Sequence, residues 1–211
     1  MKAAFLDRDG VINEDYGYVH KWKDFKFCNG ALEGLKLLKS LDYLLIIITN
    51  QSGIDRGFFS ELEYEKLTEK YTKKLSRNGL NIDAIYHCPH HPNFSEPNFK
   101  DCNCRKPKPG MIFNAVKEFN INLTNSIIIG DSERDIEAGK NAGIKQRFLI
   151  STQKILKNDE TLFTKSFPSL IECAKYISLN KKWQKFLSIK TKKKSKLIRS
   201  IRNDIVKKNL H

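Results

Sequence analysis

Two aspartates stand two residues apart in Phe5-Leu6-Asp7-Arg8-Asp9-Gly10, directly after an apolar run that begins at Ala3. If Ala3–Leu6 form a buried strand, both carboxylates leave its C-terminal end, where open α/β sheets bind ligands. Carboxylates this close repel unless a cation lies between them or one keeps its proton. Both conditions suit an aspartate nucleophile that attacks phosphorus beside a hard metal ion. Taken alone, the stretch reads equally well as an Asp-rich turn after a strand. Two other apolar runs end in complementary groups. Tyr43–Ile48 leads into Thr49-Asn50, a hydroxyl and an amide able to donate to phosphate, and Ser126–Ile129 leads into Gly130-Asp131, with Asp135 one helical turn later. Lys106, in Arg105-Lys106-Pro107-Lys108-Pro109-Gly110, stands just before a helix; its prolines predict an extended approach that carries one cation to the same crevice. By itself that segment also reads as a solvated basic loop.

A second constellation is Cys88-Pro89-His90, followed after eleven residues by Cys102-Asn103-Cys104. Three thiolates and one imidazole suit a closed tetrahedral zinc site. The loop between them lacks apolar residues to order itself, so a metal would supply that order. His87 and His91 are neighbours; His91 points away if His90 points in, and His87 is the better substitute.

These groups need a scaffold that gathers strand ends. Strands are expected at 3–6, 43–48, 82–86, 126–129 and 148–150. Helices are expected at about 30–41, 61–78, 110–119, 133–142 and 168–179. Ser60 caps the second helix with Glu63 three residues on. Leu62, Leu67, Tyr71 and Leu75 mark its buried face, and Ile112, Phe113, Val116 and Phe119 that of the third. Strand–helix alternation with continuous apolar strands predicts an open parallel sheet of about five strands with helices on both faces. The segment 87–110 is expected to be a loop, and there is no internal repeat.

The chain has 211 residues, 40% hydrophobic and 29% charged, in the range of an ordinary globular protein with one well-cored domain and a short appendage. No apolar run approaches the roughly 18 residues needed to span a bilayer, and the N-terminus turns acidic too soon for a signal peptide. A cytoplasmic location is expected. Five cysteines, three of them clustered, argue for metal rather than a disulfide framework. The net charge of +14 is concentrated: residues 181–211 hold ten lysines, two arginines and one aspartate, a net +11, leaving +3 for residues 1–180.

Asp7-Arg8-Asp9-Gly10, Thr49, Lys106 and Gly130-Asp131 with Asp135 together resemble the four motifs of haloacid-dehalogenase-type phosphatases. Within that group, Gly17-Tyr18-Val19-His20, Thr49-Asn50-Gln51-Ser52-Gly53-Ile54 with Arg56-Gly57, Cys88-Pro89-His90-His91-Pro92, Cys102-x-Cys104-Arg105-Lys106-Pro107 and Pro109-Gly110-Met111 resemble the D-glycero-D-manno-heptose 1,7-bisphosphate 7-phosphatases. Histidinol-phosphate phosphatases share the zinc loop and are the alternative. The resemblance covers about residues 1–178. It implies a Mg²⁺-dependent phosphatase of nucleotide-activated heptose and lipopolysaccharide biosynthesis, acting on the 7-phosphate through an aspartyl-phosphate. It implies a Rossmann-like fold without a large cap domain.

Under this resemblance Asp7 is the nucleophile, and Asp9 protonates the leaving oxygen and then activates water. Mg²⁺ is held by Asp7, the Asp9 carbonyl and Asp131. Thr49 and Lys106 stabilise the transferring phosphoryl group. Asp15, Tyr16, Gly17, Tyr18, Thr49, Asn50, Gln51, Ser52, Arg105, Lys106 and Ser132 contact substrate, with Arg105 directed to a second phosphate. Zn²⁺ on Cys88, His90, Cys102 and Cys104 is structural. Val11 departs from a usual threonine, and Ser132 from a usual lysine. The expected organisation is a phosphatase domain over 1–180, with the zinc loop at 87–110, and a basic extension over 181–211; the chain is expected to be a monomer.

The extension has no counterpart in that resemblance. Lys192-Lys193-Lys194 precedes Leu197, Ile198, Ile201, Ile205 and Val206, whose spacing gives one apolar face among basic residues. Such a helix suits an anionic membrane surface, an acidic partner or nucleic acid, the last making an end-processing phosphatase a further alternative; packing on the core is the plain alternative.

Overall fold

Ala3–Leu6, Leu44–Asn50 and Ile127–Gly130 carry apolar residues on both faces, and all three are almost wholly buried. That pattern belongs to strands covered on both sides. In the computed structural model, which describes residues 1–152 and 162–181, they are β1, β2 and β4 of one parallel sheet. Ala84–Cys88 is β3, Gln146–Ile150 is β5 and Lys165–Phe167 is β6. The order is β3-β2-β1-β4-β5-β6. The sixth strand is not among the five expected; it is three residues long and has one buried side chain, too little for a periodic signal. β3 begins two residues later than its apolar run suggests.

Helices α1 (Ala31–Ser40) and α2 (Glu61–Arg77) connect β1 to β2 to β3. Helices α3 (Gly110–Phe119) and α4 (Glu133–Asn141) connect β3 to β4 to β5. The first two crossovers step one way along the sheet and the next two the other way. Because such crossovers are right-handed, α1 and α2 cover one face and α3 and α4 the other. The core agrees: Ala3, Phe5, Ile46 and Ile48 pack with Met111, Ile112 and Ala115 of α3 and Ala138 of α4. The α2 cap is the expected box, Ser60 and Glu63 satisfying each other's backbone N–H. Two side chains expected inside are outside, Leu62 and Phe113: Tyr64, not Leu62, continues the spacing of Leu67, Tyr71 and Leu75, and α3 buries Met111, Ile112 and Ala115.

Residues 170–181 are helical. The chain divides into two units, 1–174 and 175–211. Of the second, residues 175–181 are described, so the apolar-stripe expectation for the basic extension falls outside the described residues. Among the described residues no helix is long and apolar enough to cross a membrane.

The strand order reverses at β1, whose neighbours β2 and β4 lead away in opposite directions. The crevice beyond the C-terminal ends of β1 and β4 is therefore the topological switch point, the expected ligand position in such a sheet.

Candidate active site and metal-binding loop

Asp7 is the first residue past β1, and its N–H still donates to the Ile129 carbonyl at 3.0 Å, tying it to β4. Gly10 then turns the chain with φ +76°, and Asp131 packs against it. Carboxylate oxygens of Asp7, Asp131 and Asp135 lie within 4.8 Å of one another. Burial, then the charge of Asp135, raises the Asp7 carboxyl well above the usual carboxylate range. Burial and Asp135 likewise push Asp131 up to about 7. An all-oxygen cluster that resists ionisation unless a cation arrives fits Mg²⁺. Asp135 is partly committed elsewhere: its Oδ2 accepts from the Ser132 N–H at 3.1 Å and hydroxyl at 2.6 Å, capping α4. Asp7 and Asp131 are the freer ligands.

Lys106 is buried, with Nζ 2.9 Å from Asp7 Oδ1, 2.5 Å from Asp135 Oδ1 and 2.8 Å from the Ile48 carbonyl it donates to. Burial pulls its pKa down, but Asp135 and Asp7 more than reverse this, so the ammonium stays charged. Its approach is not the extended one that the prolines suggest. The Lys106–Pro107 peptide is cis, and Lys108 N–H donates to the Arg105 carbonyl at 2.9 Å, closing a turn. Asn50, expected to donate to phosphate, instead clamps this turn. Its Oδ1 accepts from Lys106 N–H at 3.0 Å and its Nδ2 donates to the Lys106 carbonyl at 3.1 Å.

The Asp9 carboxylate is gripped from three sides. Arg8 Nη2 donates to both oxygens at 2.9 Å, Asn13 Nδ2 to Oδ1 at 2.9 Å and Gln51 Nε2 to Oδ2 at 2.9 Å. Gln51 Nε2 also donates to Thr49 Oγ1 at 2.8 Å. Arg8 is wholly buried, with Nη2 also donating to the Val19 carbonyl at 2.8 Å and its guanidinium 5.8 Å from the Tyr64 ring centre. The sequence treats Arg8 as a spacer between two aspartates; nothing local signals that its side chain turns inward.

A cavity of about 330 Å³ opens over these groups, walled by Asp15, Gly17, Tyr18, Ser52, Arg105 and Ser132 among the expected substrate residues. Tyr16 is not in its wall. That side chain is exposed, its hydroxyl bonded to Glu14 and its ring beneath Lys26. Two arginines without an expected site role join the wall, Arg56 and Arg134. A cation in the first turn of α4, beside Asp131, is the trace that Arg134 leaves in the sequence.

Cys88, His90, Cys102 and Cys104 come together, Cys104 Sγ lying 3.1 Å from Cys88 Sγ, 3.3 Å from Cys102 Sγ and 3.3 Å from His90 Nδ1. A zinc–thiolate tetrahedron has edges of about 3.8 Å, so this donor set is already close to that shape. Hydrogen bonds from Cys88, Cys102 and His90 lower the Cys104 thiol to about 5. The set fits Zn²⁺ with all four positions filled by protein. His91 points away, its Nε2 2.6 Å from Arg56 Nη2, and His87 pairs with Glu61 at 2.6 Å instead of joining the cluster. Arg105 Nη1 donates to the His90 carbonyl at 2.9 Å, so the loop that holds the cysteines also holds Arg105.

The reversed strand order, the aspartate pair after β1, the buried lysine and the acidic pair after β4 define a haloacid-dehalogenase-like hydrolase. Residues 98–148 match the family model described as haloacid dehalogenase-like hydrolase. The chain is 48% identical over 158 residues to D-glycero-beta-D-manno-heptose-1,7-bisphosphate 7-phosphatase of Pasteurella multocida, covering 75% of this chain and 86% of that protein. It is 49% identical over 153 residues to D-glycero-alpha-D-manno-heptose-1,7-bisphosphate 7-phosphatase of Photorhabdus laumondii, covering 72% and 84%. Among solved structures, D,D-heptose 1,7-bisphosphate phosphatase from B. bronchiseptica, complexed with magnesium and phosphate, is similar with a TM-score of 0.72 at 28% identity, covering 85% of this chain and 99% of that one. The chain belongs to the D-glycero-D-manno-heptose-1,7-bisphosphate 7-phosphatase family.

Proposed function

We propose that this protein hydrolyses the 7-phosphate of D-glycero-D-manno-heptose 1,7-bisphosphate through an aspartyl-phosphate on Asp7. The observation that carries this reading is Asp7 at the switch point, between the Lys106 ammonium and the Asp131 carboxylate, in a chain of this family. Asp7 attacks phosphorus through one oxygen, and the phosphorus–sugar oxygen bond breaks. Asp9, held in place by Arg8, Asn13 and Gln51, gives the leaving oxygen its proton. It then takes a proton from the water that opens the acyl-phosphate, returning Asp7 and releasing phosphate. Thr49 and Lys106 donate to the phosphoryl oxygens, where charge accumulates in the transition state.

Asp7, Asp131 and the Asp9 carbonyl would hold Mg²⁺, which when bound neutralises the carboxylates and polarises the phosphoryl group. Zn²⁺ on the four Cys/His donors would be structural, since no coordination position is left for water. None of the five cysteines forms a disulfide, which suits a reducing compartment such as the cytoplasm.

The test is phosphate release by the purified protein in Mg²⁺. The heptose bisphosphate is expected to give a kcat/KM at least about a hundredfold above histidinol phosphate, a discrimination within reach of a site with dedicated polar contacts. Asp7→Asn should remove turnover while leaving the fold intact. Faster histidinol phosphate hydrolysis would replace the substrate assignment, and an active Asp7→Asn enzyme would remove the nucleophile.

A further inference from the structure

Three guanidinium groups, those of Arg56, Arg105 and Arg134, line one cavity. None has a carboxylate ion-pair partner among the described residues. Arg56 and Arg105 are fastened to the zinc loop, Arg56 by His91 Nε2 and by the Phe94 ring 5.1 Å away, Arg105 by the His90 carbonyl. Arg134 is different. It is exposed, and no hydrogen bond or ion pair to a described residue holds it.

Its place in the chain makes this informative. Arg134 is the second residue of α4, in the helix's first turn, where the helix dipole disfavours a cation and favours Glu or Asp. Its neighbours Glu133 and Asp135 follow that preference. An arginine there opposes the helix, has no ion-pair partner among the described residues and faces the cavity that contains Asp7 and Lys106. Lys106 is already placed between Asp7 and Asp135 at the buried end, where the transferring phosphoryl group must sit. The more exposed guanidinium groups therefore serve a second anion farther out. Guanidinium forks suit a phosphate, which they can grip in bidentate fashion.

We propose that Arg134 is a specificity-determining residue that, with Arg105, takes the phosphate that is not hydrolysed, so that the enzyme selects sugar bisphosphates over monophosphates. This rests on the heptose bisphosphate reading above and adds to it a residue for the second phosphate.

The experiment compares kcat/KM for heptose 1,7-bisphosphate and heptose 7-phosphate across wild type, Arg134→Gln, Arg134→Lys and Arg134→Glu. The wild type prefers the bisphosphate. In Arg134→Gln the preference ratio falls about tenfold or more, the size of a lost charge-assisted hydrogen bond, and the change lies in KM rather than kcat. Arg134→Lys keeps part of the preference. Arg134→Glu loses more of it while its Tm does not fall, since the new charge suits the helix end, and this separates recognition from folding. An unchanged ratio in Arg134→Gln, or an equal loss on both substrates, overturns the assignment. A wild type that hydrolyses the bisphosphate without preferring it sinks Arg134's role and leaves the activity standing; a wild type that hydrolyses neither sinks both.

Discussion

Asp131 occupies the space that a side chain on Gly10 would need: a β-carbon there would lie 2.0 Å from Asp131 Oδ2. Gly10 also sits at φ +76°, where a residue with a β-carbon is strained. The expected result for Gly10→Ala is a displaced Asp131 carboxylate. The strain costs about 1–2 kcal/mol of stability. Activity falls about a hundredfold, as ångström-scale misplacement of a catalytic group does. A Mg²⁺ titration of activity beside a thermal melt checks both; wild-type Mg²⁺ dependence in a folded Gly10→Ala enzyme would show that Asp131 does not need its present position.

The parallel sheet and its switch point are legible in the sequence because β1, β2 and β4 are uninterrupted apolar runs, each ending in polar residues. That Asp7 meets Asp131, and that the four Cys/His residues meet one another, is legible for a related reason: carboxylates follow directly on strand ends, and the cysteines and histidine come in close-spaced pairs. What stays hidden is direction. Arg8 is buried although a charged residue between two aspartates looks solvated, and only the folded loop shows it holding Asp9 and the Val19 carbonyl. Asn50 has the chemistry of a phosphate donor, yet both ends of its amide hold the Lys106 backbone, 56 residues away. Tyr16 lies beside three residues that reach or approach the cavity but faces outward. β6 is an edge strand of three residues, and its pairing with β5 comes from tertiary position rather than local pattern.

Lys106 is ion-paired to both Asp7 and Asp135, so under the proposed function Lys106→Met should lower stability and activity together. The substitution leaves Asp7 and Asp135 buried without their cation, a loss of about 3 kcal/mol or more. The same change removes a donor to the phosphoryl group, lowering kcat about a hundred- to a thousandfold. Burial and Asp135 already raise the Asp7 carboxyl, and removing the Lys106 charge that holds it down raises it further, so the stability deficit should shrink as pH falls from 8 to 5 and Asp7 takes up its proton. Denaturant melts at several pH values test this. A deficit that is constant across that range would mean that Asp7 does not depend on Lys106 for its charge.

The loop that gathers Cys88, His90, Cys102 and Cys104 gives a prediction in which metal, thiol chemistry and activity must move together. The purified protein should carry about one zinc per chain, as a closed four-ligand site requires. Zinc-loaded protein exposes one unligated thiol to alkylation among the described residues, Cys28, because Cys173 is fully buried. Burial, followed by the charges of Glu14, Asp131 and Asp9, raises the Cys28 thiol to about 11. Only the thiolate reacts, so its alkylation should be slow at pH 8 and rise about tenfold per pH unit toward pH 10. Chelation should then release Cys88, Cys102 and Cys104 to the reagent. Arg105 and Lys106 follow Cys104 directly in the chain, so activity should fall about a hundredfold in parallel, as expected when positioned groups drift by an ångström. Mass spectrometry counts the alkylated thiols while phosphate release is followed on the same samples. Three thiols exposed with activity intact would mean that the loop orders itself without metal and that the zinc ligands do not position Lys106.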